Sequence, residues 1–230
     1  MKLTQKLIFL LTVFITFPSL VFADNFYAGI DLGKSKTRTT ESTPANSVTH
    51  YYLVNASSFN INGRDTLTGL HLGYNHFINN FFIGPEFRFV KNNQDIGKAP
   101  GRFAATNDYT VKYDDTKTLA MRFGIVENKI SYYLLGGFAQ SNIYIKADEG
   151  GAGGHVGQSK SNHNGTVLGI GAETTVLENI SIGLQYNEIN LKSKNQTIND
   201  CCAGEGYQGP DVVSVNPNIK TLSIRASYLF

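Results

Sequence analysis

Hydrophobic and polar residues alternate strictly over the last twelve residues of the chain, 219–230. One side of an extended strand would carry Leu222, Ile224, Ala226, Tyr228 and Phe230, and the other side Thr221, Ser223, Arg225 and Ser227. An apolar face with an aromatic end, opposite a polar face, is typical of a strand that separates lipid from a polar barrel lumen. A strand of a soluble sandwich can alternate in the same way, so the other segments must decide between the two.

Seven further segments carry the alternation of a β-strand, and long and short connections follow each other between them. The segments are residues 25–34, 66–76, 81–90, 116–126, 130–146, 165–176 and 179–191. Long polar loops are expected at residues 35–65, 91–115, 147–164 and 192–218, and tight turns at 78–80, 127–129 and 178–179. This order predicts an all-β fold: an up-and-down antiparallel transmembrane β-barrel of eight strands, with long extracellular loops and short periplasmic turns. The first loop has room for another hairpin, so ten strands stay open.

The charged residues in the middle of these segments share the polar face. They are Asp31, Glu86, Arg88, Arg122, Glu173 and Arg225, with His71 on the same side. An Arg or Lys on the lipid face near the bilayer midplane costs about 2–4 kcal/mol, so this segregation favours a membrane barrel. We therefore predict a lumen network of paired charges, because an unpaired buried charge is costly. The alternative is a soluble, ligand-carrying barrel, whose interior would be the apolar face.

The beginning of the chain reads as a secretory signal at residues 1–23. Lys2 and Lys6 precede an apolar stretch at residues 7–17, Pro18 breaks it, and Ala23 stands at the expected cleavage position. Residues 24–230 then form one barrel domain. Removing two lysines takes the formal net charge from +2 to zero, which gives no general attraction to nucleic acid. Twelve Tyr, fifteen Phe and twenty-three Gly, without Trp, suit strands and tight turns.

Several short motifs resemble a known family. They are residues 28–33 (Ala-Gly-Ile-Asp-Leu-Gly), 169–173 (Gly-Ile-Gly-Ala-Glu), the turn and strand at 177–186, and the terminal Ser-Tyr-Leu-Phe at 227–230. They are similar to the small bacterial outer-membrane β-barrel proteins, called porin-like or opacity-protein-like, which share the architecture of the OmpA transmembrane barrel. The resemblance implies a Gram-negative outer-membrane location. It also implies that the barrel-assembly machinery reads the last strand; Ser223, Tyr228 and Phe230 match that signal, while Arg225 stands where a glycine is expected.

The sequence gives no pattern of catalytic, metal-binding or cofactor-binding residues, and we expect neither an enzyme nor a cofactor. An enzyme of this membrane would need a Ser, a His and an acid, or paired Asp and His, and no histidine stands beside a serine in such a pattern. His155 and His163, near Asp148 and Glu149, fit no standard metal spacing, and a solvated loop is expected there.

The long loops are the remaining place for a function, because binding sites are often carried by loops on a rigid scaffold. We expect a structural or surface-binding role, as an adhesin, in host interaction or in envelope integrity, with outer-membrane lipid and an extracellular ligand as partners. A narrow pore and a lipid-modifying enzyme are the rival functions. Cys201 and Cys202 are adjacent, and a vicinal disulfide, intermolecular pairing and two free thiols all stay open.

Overall fold

The computed structural model describes residues 26–42, 58–92, 95–100, 108–148, 156–198 and 211–230. These residues form eleven strands and no helix. In chain order the strands are β1 (Phe26–Ser42), β2 (Ser58–Tyr74), β3 (His76–Ile78), β4 (Phe81–Asn92), β5 (Asp95–Pro100), β6 (Asp108–Glu127), β7 (Ile130–Asp148), β8 (Val156–Leu177), β9 (Ile180–Leu191), β10 (Lys194–Ile198) and β11 (Asp211–Leu229).

The strands close into one antiparallel ring with eight positions. β2 with β3, β4 with β5, and β9 with β10 each occupy a single position, because the second strand continues along the partner of the first. Each remaining strand fills its own position, and β1 pairs with β11 to close the ring. β1 also pairs with β2 directly up to Ser42 and Ser58, so no additional hairpin lies between them along that length. The up-and-down antiparallel barrel is confirmed, and among the described residues its ring has eight positions, as predicted.

The three tight turns lie where the sequence predicts them, at one end of the barrel that we call the turn end. Asn79, Asn128 and Lys129 adopt positive φ angles of 56°, 51° and 70°. Asn tolerates this left-handed conformation, and two successive positive φ angles make the hairpin turn that matches the twist of the flanking strands. The opposite end, which receives the long connections, is the loop end.

Pro85 explains the break between β2 and β3. The register of β2 on β4 continues unchanged into β3 on β4, so Tyr74 and Asn75 would face Pro85 and Gly84. Pro85 has no amide hydrogen, and the ladder is interrupted opposite it. The strand nevertheless continues, because pairing resumes at His76 and Ile83.

The strands are strongly tilted. A path along register partners that starts at Tyr27 on β1 goes once around the ring and returns to β1 at Thr37. The residues on this path are Gly73, Glu86, Ala120, Gly137, Val167, Ile189 and Ile219. The ring therefore closes with a stagger of ten residues. Eight tilted strands enclose an interior that is only wide enough for side chains to fill.

The outer wall near the turn end is apolar. Large hydrophobic side chains point outward there and are exposed, with Leu32 at 55%, Leu134 at 59% and Ile224 at 58%. We call this ring the apolar band; it also contains Ile30, Leu70, Leu72, Phe87, Leu119, Phe123, Phe138, Leu168, Ile170, Leu184 and Leu222. β7, whose two faces the sequence does not distinguish, presents Tyr132, Leu134 and Phe138 to the band.

Toward the loop end the outward face of the wall becomes polar and the inward face becomes more apolar. On β11, the outward residue changes from Leu222 to Lys220 and the inward residue from Thr221 to the buried Ile219. The interior at this level is an apolar core of Ile61, Val111, Tyr113, Ile143, Ile145, Ile189, Leu191, Ile198, Val213, Val215 and Ile219. The barrel thus has a membrane-type pattern below this level and a soluble-type pattern above it.

The long polar loops of the sequence prediction are consequently too long. β1 runs to Ser42, β2 begins at Ser58, β6 at Asp108, β8 at Val156 and β11 at Asp211. The predicted loop boundaries were wrong because strands were predicted only where apolar and polar residues alternate as in a lipid-facing wall. Backbone pairing continues beyond that point, where the outer wall is polar. Residues 1–25, Cys201, Cys202 and His155 lie outside the described residues.

Candidate functional site

Seven ionisable side chains converge in the barrel interior at the level of the apolar band. They come from six strands: Asp31 (β1), His71 (β2), Glu86 and Arg88 (β4), Arg122 (β6), Glu173 (β8) and Arg225 (β11). All of them except Glu173 alternate with outward apolar residues, and Glu173 continues the inward face of β8, so all seven point inward. Asp31, Arg122 and Arg225 are fully buried. The structure brings together all seven residues that the sequence assigned to the lumen.

Glu86 and Arg225 form the centre of this lumen network. Arg225 Nη2 donates to Glu86 Oε2 at 2.7 Å and Nη1 to Oε1 at 3.3 Å, a two-pronged contact of a guanidinium with a carboxylate. Arg225 also donates to Tyr133 Oη at 3.0 Å and to the Gln185 side-chain oxygen. Tyr27 adds a hydrogen bond to Glu86 Oε2 at 2.8 Å. Asp31 Oδ1 is farther away, at 3.6 Å from Arg225 Nε.

Asp31 is the centre of a second group next to the last strand. Its Oδ2 accepts from Arg88 Nε at 3.0 Å and lies 3.2 Å from His71 Nδ1. The other ring nitrogen of His71, Nε2, lies 2.8 Å from the Ser227 hydroxyl. Arg88 also donates to Ser223 at 3.1 Å. Ser223, named above for the assembly signal, therefore points into the lumen, whereas Tyr228 points outward.

Arg122 lies between carboxylates and aromatic rings. Its Nη2 donates to Glu173 at 2.7 Å, and its Nη1 lies 3.5 Å from Glu86. The guanidinium carbon stands 3.8 Å from the centre of the Tyr133 ring and 4.9 Å from that of Tyr27. Cation–π contacts of this kind are strongest where water is excluded. The sequence gave these two tyrosines no role, although Tyr27 lies on the predicted lumen face.

The lumen network is balanced, with three arginines against three carboxylates and a histidine between them. Each of these charged side chains contacts an opposite charge, which is what burial in a narrow barrel requires. The aromatic neighbours of the network, Tyr27, Phe82 and Tyr133, are buried with it at this level.

The loop end holds a separate buried group above the apolar band. His163 Nδ1 lies 3.1 Å from the Lys192 carbonyl oxygen, and Nε2 lies 3.0 Å from Gln196 Nε2. Burial lowers the pKa of His163 below its ordinary value. Thr39 and Tyr113 share a hydrogen bond of 2.7 Å, and burial raises the pKa of Tyr113. The expectation that His163 lies in a solvated loop was wrong, because β8 begins before it and its side chain is buried.

A charged lumen, an apolar outer band and tight turns at one end together describe a barrel that spans a membrane, and sequence comparison leads to the same class. The family model for the outer membrane protein beta-barrel domain matches residues 7–230. The chain belongs to this family. In outer-membrane barrels the short turns face the periplasm and the long loops face the cell exterior, which fixes the direction of the two ends.

Solved structures of other outer-membrane barrels are similar to this one. The outer membrane protease OmpT of Escherichia coli is 11% identical, with 94% of this chain and 99% of that chain covered and a TM-score of 0.54. The outer membrane protein OprG of Pseudomonas aeruginosa is 11% identical, with 90% and 97% covered and a TM-score of 0.53. Ail, the attachment invasion locus protein of Yersinia pestis, is 15% identical, with 90% and 99% covered and a TM-score of 0.43. At these identities the likeness to OmpT and OprG shows the fold alone.

No curated protein matches the sequence of this chain. The described residues contain no group of three or more His, Cys, Asp or Glu side chains that could hold a metal ion. No helix among them is long and apolar enough to cross a membrane. Of the metal candidates considered in the sequence, His155, Glu149 and the side chain of Asp148 lie outside the described part.

Proposed function

We propose that this outer-membrane barrel is a non-conducting scaffold that presents a binding surface at its extracellular end. The observation that carries the proposal is the filling of the interior at two levels. Glu86, Arg122 and Arg225 occupy the lumen at membrane level with at most 2% exposure, and the apolar core occupies it toward the loop end. A filled eight-stranded barrel has no path for solutes. Its chemistry is then expected on surfaces, above all on the connections that a rigid scaffold holds outside the cell.

The test compares a deletion strain with its parent for attachment to host cells, survival in serum and uptake of small hydrophilic solutes. We expect attachment or serum survival to fall and uptake to stay unchanged. Complementation with a chain in which residues 43–57 are replaced by a two-residue turn should restore the barrel without that loop, because Ser42 and Ser58 are register partners. Reduced solute uptake, with attachment and survival unaltered, would contradict the proposal.

A second candidate function, hydrolysis, rests on one observation. The Ser227 hydroxyl, the His71 ring and the Asp31 carboxylate form a chain of contacts of 2.8 and 3.2 Å, in the order of a serine hydrolase triad. Ser227 is 4% exposed, and Arg88 shares the carboxylate, which favours a packing role instead. A fluorophosphonate probe decides between them: labelling of the wild type but not of Ser227→Ala would establish a hydrolase. We expect no labelling of either.

A further inference from the structure

The wall of the barrel divides into two sheets above the apolar band. Register pairing between β8 and β9 extends only up to Gly165 and Leu191, and one further backbone hydrogen bond follows it, from Lys192 N to Asn164 O at 2.8 Å. Beyond that point β10 takes the place beside β8, yet it pairs with β11 alone. Among the described residues, no backbone hydrogen bond joins β10 to residues 156–163 of β8. We call this boundary the seam.

The other side of the ring has a matching boundary. β5 pairs with β6 and has no register partner on β2, although the two strands are neighbours. The extracellular half therefore consists of one sheet of β5, β6, β7 and β8 and a second sheet of β2, β1, β11 and β10, with the apolar core between them. Because no described backbone hydrogen bond joins the two sheets above Asn164, they are able to part without breaking a strand ladder.

A bulge turns β10 out of the ladder. From Asn190 to Lys194 the chain takes four steps, while its partner β11 takes three, from Asn218 to Val215. An extra residue of this kind bends the bulged strand and interrupts its pairing. The bend lies between β9 and β10, directly beside the start of the seam.

Side chains rather than backbone groups hold the seam closed. His163, which is 1% exposed, has its Nδ1 3.1 Å from the Lys192 carbonyl oxygen and its Nε2 3.0 Å from Gln196 Nε2. Lys194 Nζ donates to the Asn162 carbonyl oxygen at 3.5 Å. A carbonyl oxygen only accepts, so Nδ1 carries a hydrogen, and an amide nitrogen only donates, so Nε2 carries none. The closed seam thus requires a neutral His163.

No anion stands ready to compensate a positive charge on His163. Burial, and to a smaller degree the charge of Lys194, lower the pKa of the ring. The Lys192 side chain is exposed, and Lys160 on the same strand as His163 points to the outer wall. No carboxylate among the described residues acts on His163, the buried Glu41 of β1 included.

The neighbouring strands present no other charge to His163. β7 places the Ser141 hydroxyl opposite it as its register partner. Asp115 on β6 has its carboxylate bound by Asn142, which donates at 2.8 Å. β11 contributes the buried, apolar Val213. A protonated ring would therefore be a buried cation without compensation, beside a lysine of β10.

We propose that His163 is a pH-sensitive latch on the extracellular half of the barrel. The neutral ring holds β8 and β10 together, and protonation at mildly acidic pH lets the two sheets part at the seam. Protonation adds a hydrogen on Nε2 that points at the amide hydrogens of Gln196. Turning this amide over would restore the hydrogen bond, yet the charge would stay buried without a partner, which is costly. Parting of the sheets admits water to the ring and removes that cost.

Opening of the seam changes the surface that the protein presents. Leu191, Ile198 and Val213, each at most 4% exposed in the closed state, belong to the core beside the seam and become accessible to solvent. The lumen network lies below this level and stays filled in both states. The extracellular end then offers an apolar surface in acidic surroundings that it hides at neutral pH, without opening a path for solutes.

The first test measures the width of the seam by electron paramagnetic resonance. Nitroxide labels are placed at Gln158 on β8 and Thr197 on β10, two exposed positions on opposite sides of the seam, in a chain whose Cys201 and Cys202 are replaced by serine. At pH 7.5 we expect one short distance, and at pH 5.0 a second, longer population. The ratio of open to closed molecules should rise about tenfold per pH unit between about pH 6.5 and the folded pKa of His163. Identical distances at the two pH values would overturn the proposal.

A matched pair of labels shows whether the change is confined to the seam. Gln140 on β7 and Asn164 on β8 are register partners, and both are exposed on the same outer wall. Because strand pairing joins them, their distance should be the same at both pH values. A change as large as that across the seam would mean that acid loosens the whole extracellular half, which contradicts a latch at this boundary.

Variants of His163 separate the latch from a packing role. His163→Gln stays neutral and offers both an acceptor and a donor, so it should keep the seam closed at both pH values. His163→Lys carries a permanent charge and should show the longer distance already at pH 7.5. His76→Gln removes an exposed histidine at the turn end and should respond to acid like the wild type. An acid response that persists in His163→Gln would refute the latch. Gel mobility of unboiled samples verifies that every variant is folded.

Nitrogen NMR of isotope-labelled histidine rings provides an independent readout. At pH 7.5 we expect a hydrogen on Nδ1 and none on Nε2 of His163, as its two hydrogen bonds require. Protonation of Nε2 should then appear in step with the longer label distance, and the signal is assigned by its absence in His163→Gln. A ring that becomes protonated while the label distance stays unchanged would show that the closed seam tolerates the charge, and the proposal would fail.

Discussion

Glu86→Gln is the change that tests the lumen network most sharply. The substitution keeps the size and shape of the side chain and removes one negative charge from the centre of the network. Glu86 is 2% exposed and accepts hydrogen bonds from Arg225 and Tyr27, while Arg122 lies 3.5 Å away. The variant therefore leaves three buried arginines against two carboxylates.

The structure gives the magnitude of the effect. Arg225 would keep only Asp31, at 3.6 Å, as a charged partner, whereas Arg122 would keep Glu173 at 2.7 Å. Removing one partner of a buried ion pair costs about 3–5 kcal/mol, because the other charge stays buried without compensation. The retained hydrogen bonds of the amide place Glu86→Gln toward the lower part of that range, at about 3 kcal/mol.

Equilibrium unfolding in urea, with the protein refolded into lipid vesicles and tryptic protection as a second readout, measures this loss. Glu188→Gln is the matched control, since Glu188 pairs with Lys220 at 3.3 Å on the outer wall with both side chains exposed. Exposed pairs contribute about 0–1 kcal/mol. If the two variants lose the same free energy of unfolding, the lumen charges are solvated and the account of a filled lumen fails.

Four other outcomes are expected. Gly137→Ala should destabilise the barrel by about 1–3 kcal/mol, because its new Cβ would stand 2.1 Å from the Leu119 carbonyl oxygen, whereas Gly136→Ala, with its nearest atom at 3.4 Å, should be nearly neutral in the same urea assay. The folded pKa of His163 lies below the ordinary value of about 6.5. Its contribution to stability is therefore present above that pH and is lost as pH falls toward the folded pKa. In urea titrations at several pH values, the free energy of unfolding should fall less on acidification in His163→Gln than in the wild type. Deleting Phe230 should reduce insertion in cells much more than refolding in detergent, and wild-type amounts in washed outer membranes would reject a role of this terminus in assembly. Unboiled and boiled samples should migrate differently on SDS gels, since the ring closes through β1 and β11; identical mobility would argue against a closed ring.

The membrane half of the barrel was predictable because lipid imposes a strict rule on it. Every outward residue there must be apolar, so the alternation along β1 or β11 separates Asp31 and Arg225 from their neighbours without knowledge of the fold. The tight turns were predictable for a similar reason, since Asn79 and Asn128 suit the backbone conformation that such turns need. The same alternation, repeated in eight segments, predicts the number of strands in the ring.

The extracellular half was not predictable from the same rule. Above the band the outer wall is polar, and on β1 the buried side is polar as well, with Thr37 and Thr39, so this part of the strand reads as loop. For this reason His163 was expected in a solvated loop, although it lies on β8 and is buried. Contacts across the lumen were also hidden, because the pairing of Arg225 with Glu86 depends on which strands face each other across the ring and not on their order in the chain. The meeting of Asp31, His71 and Ser227 has no local sequence signal for the same reason.

The most direct measurement of the central claim is the current through planar bilayers that contain refolded residues 24–230. Because Arg122, Arg225 and the apolar core leave no solute path through the described interior, we predict no discrete current steps above the bare bilayer. Insertion in the same preparation is verified by tryptic protection. Reproducible single-channel steps from inserted wild-type protein would contradict the filled lumen and with it the scaffold function.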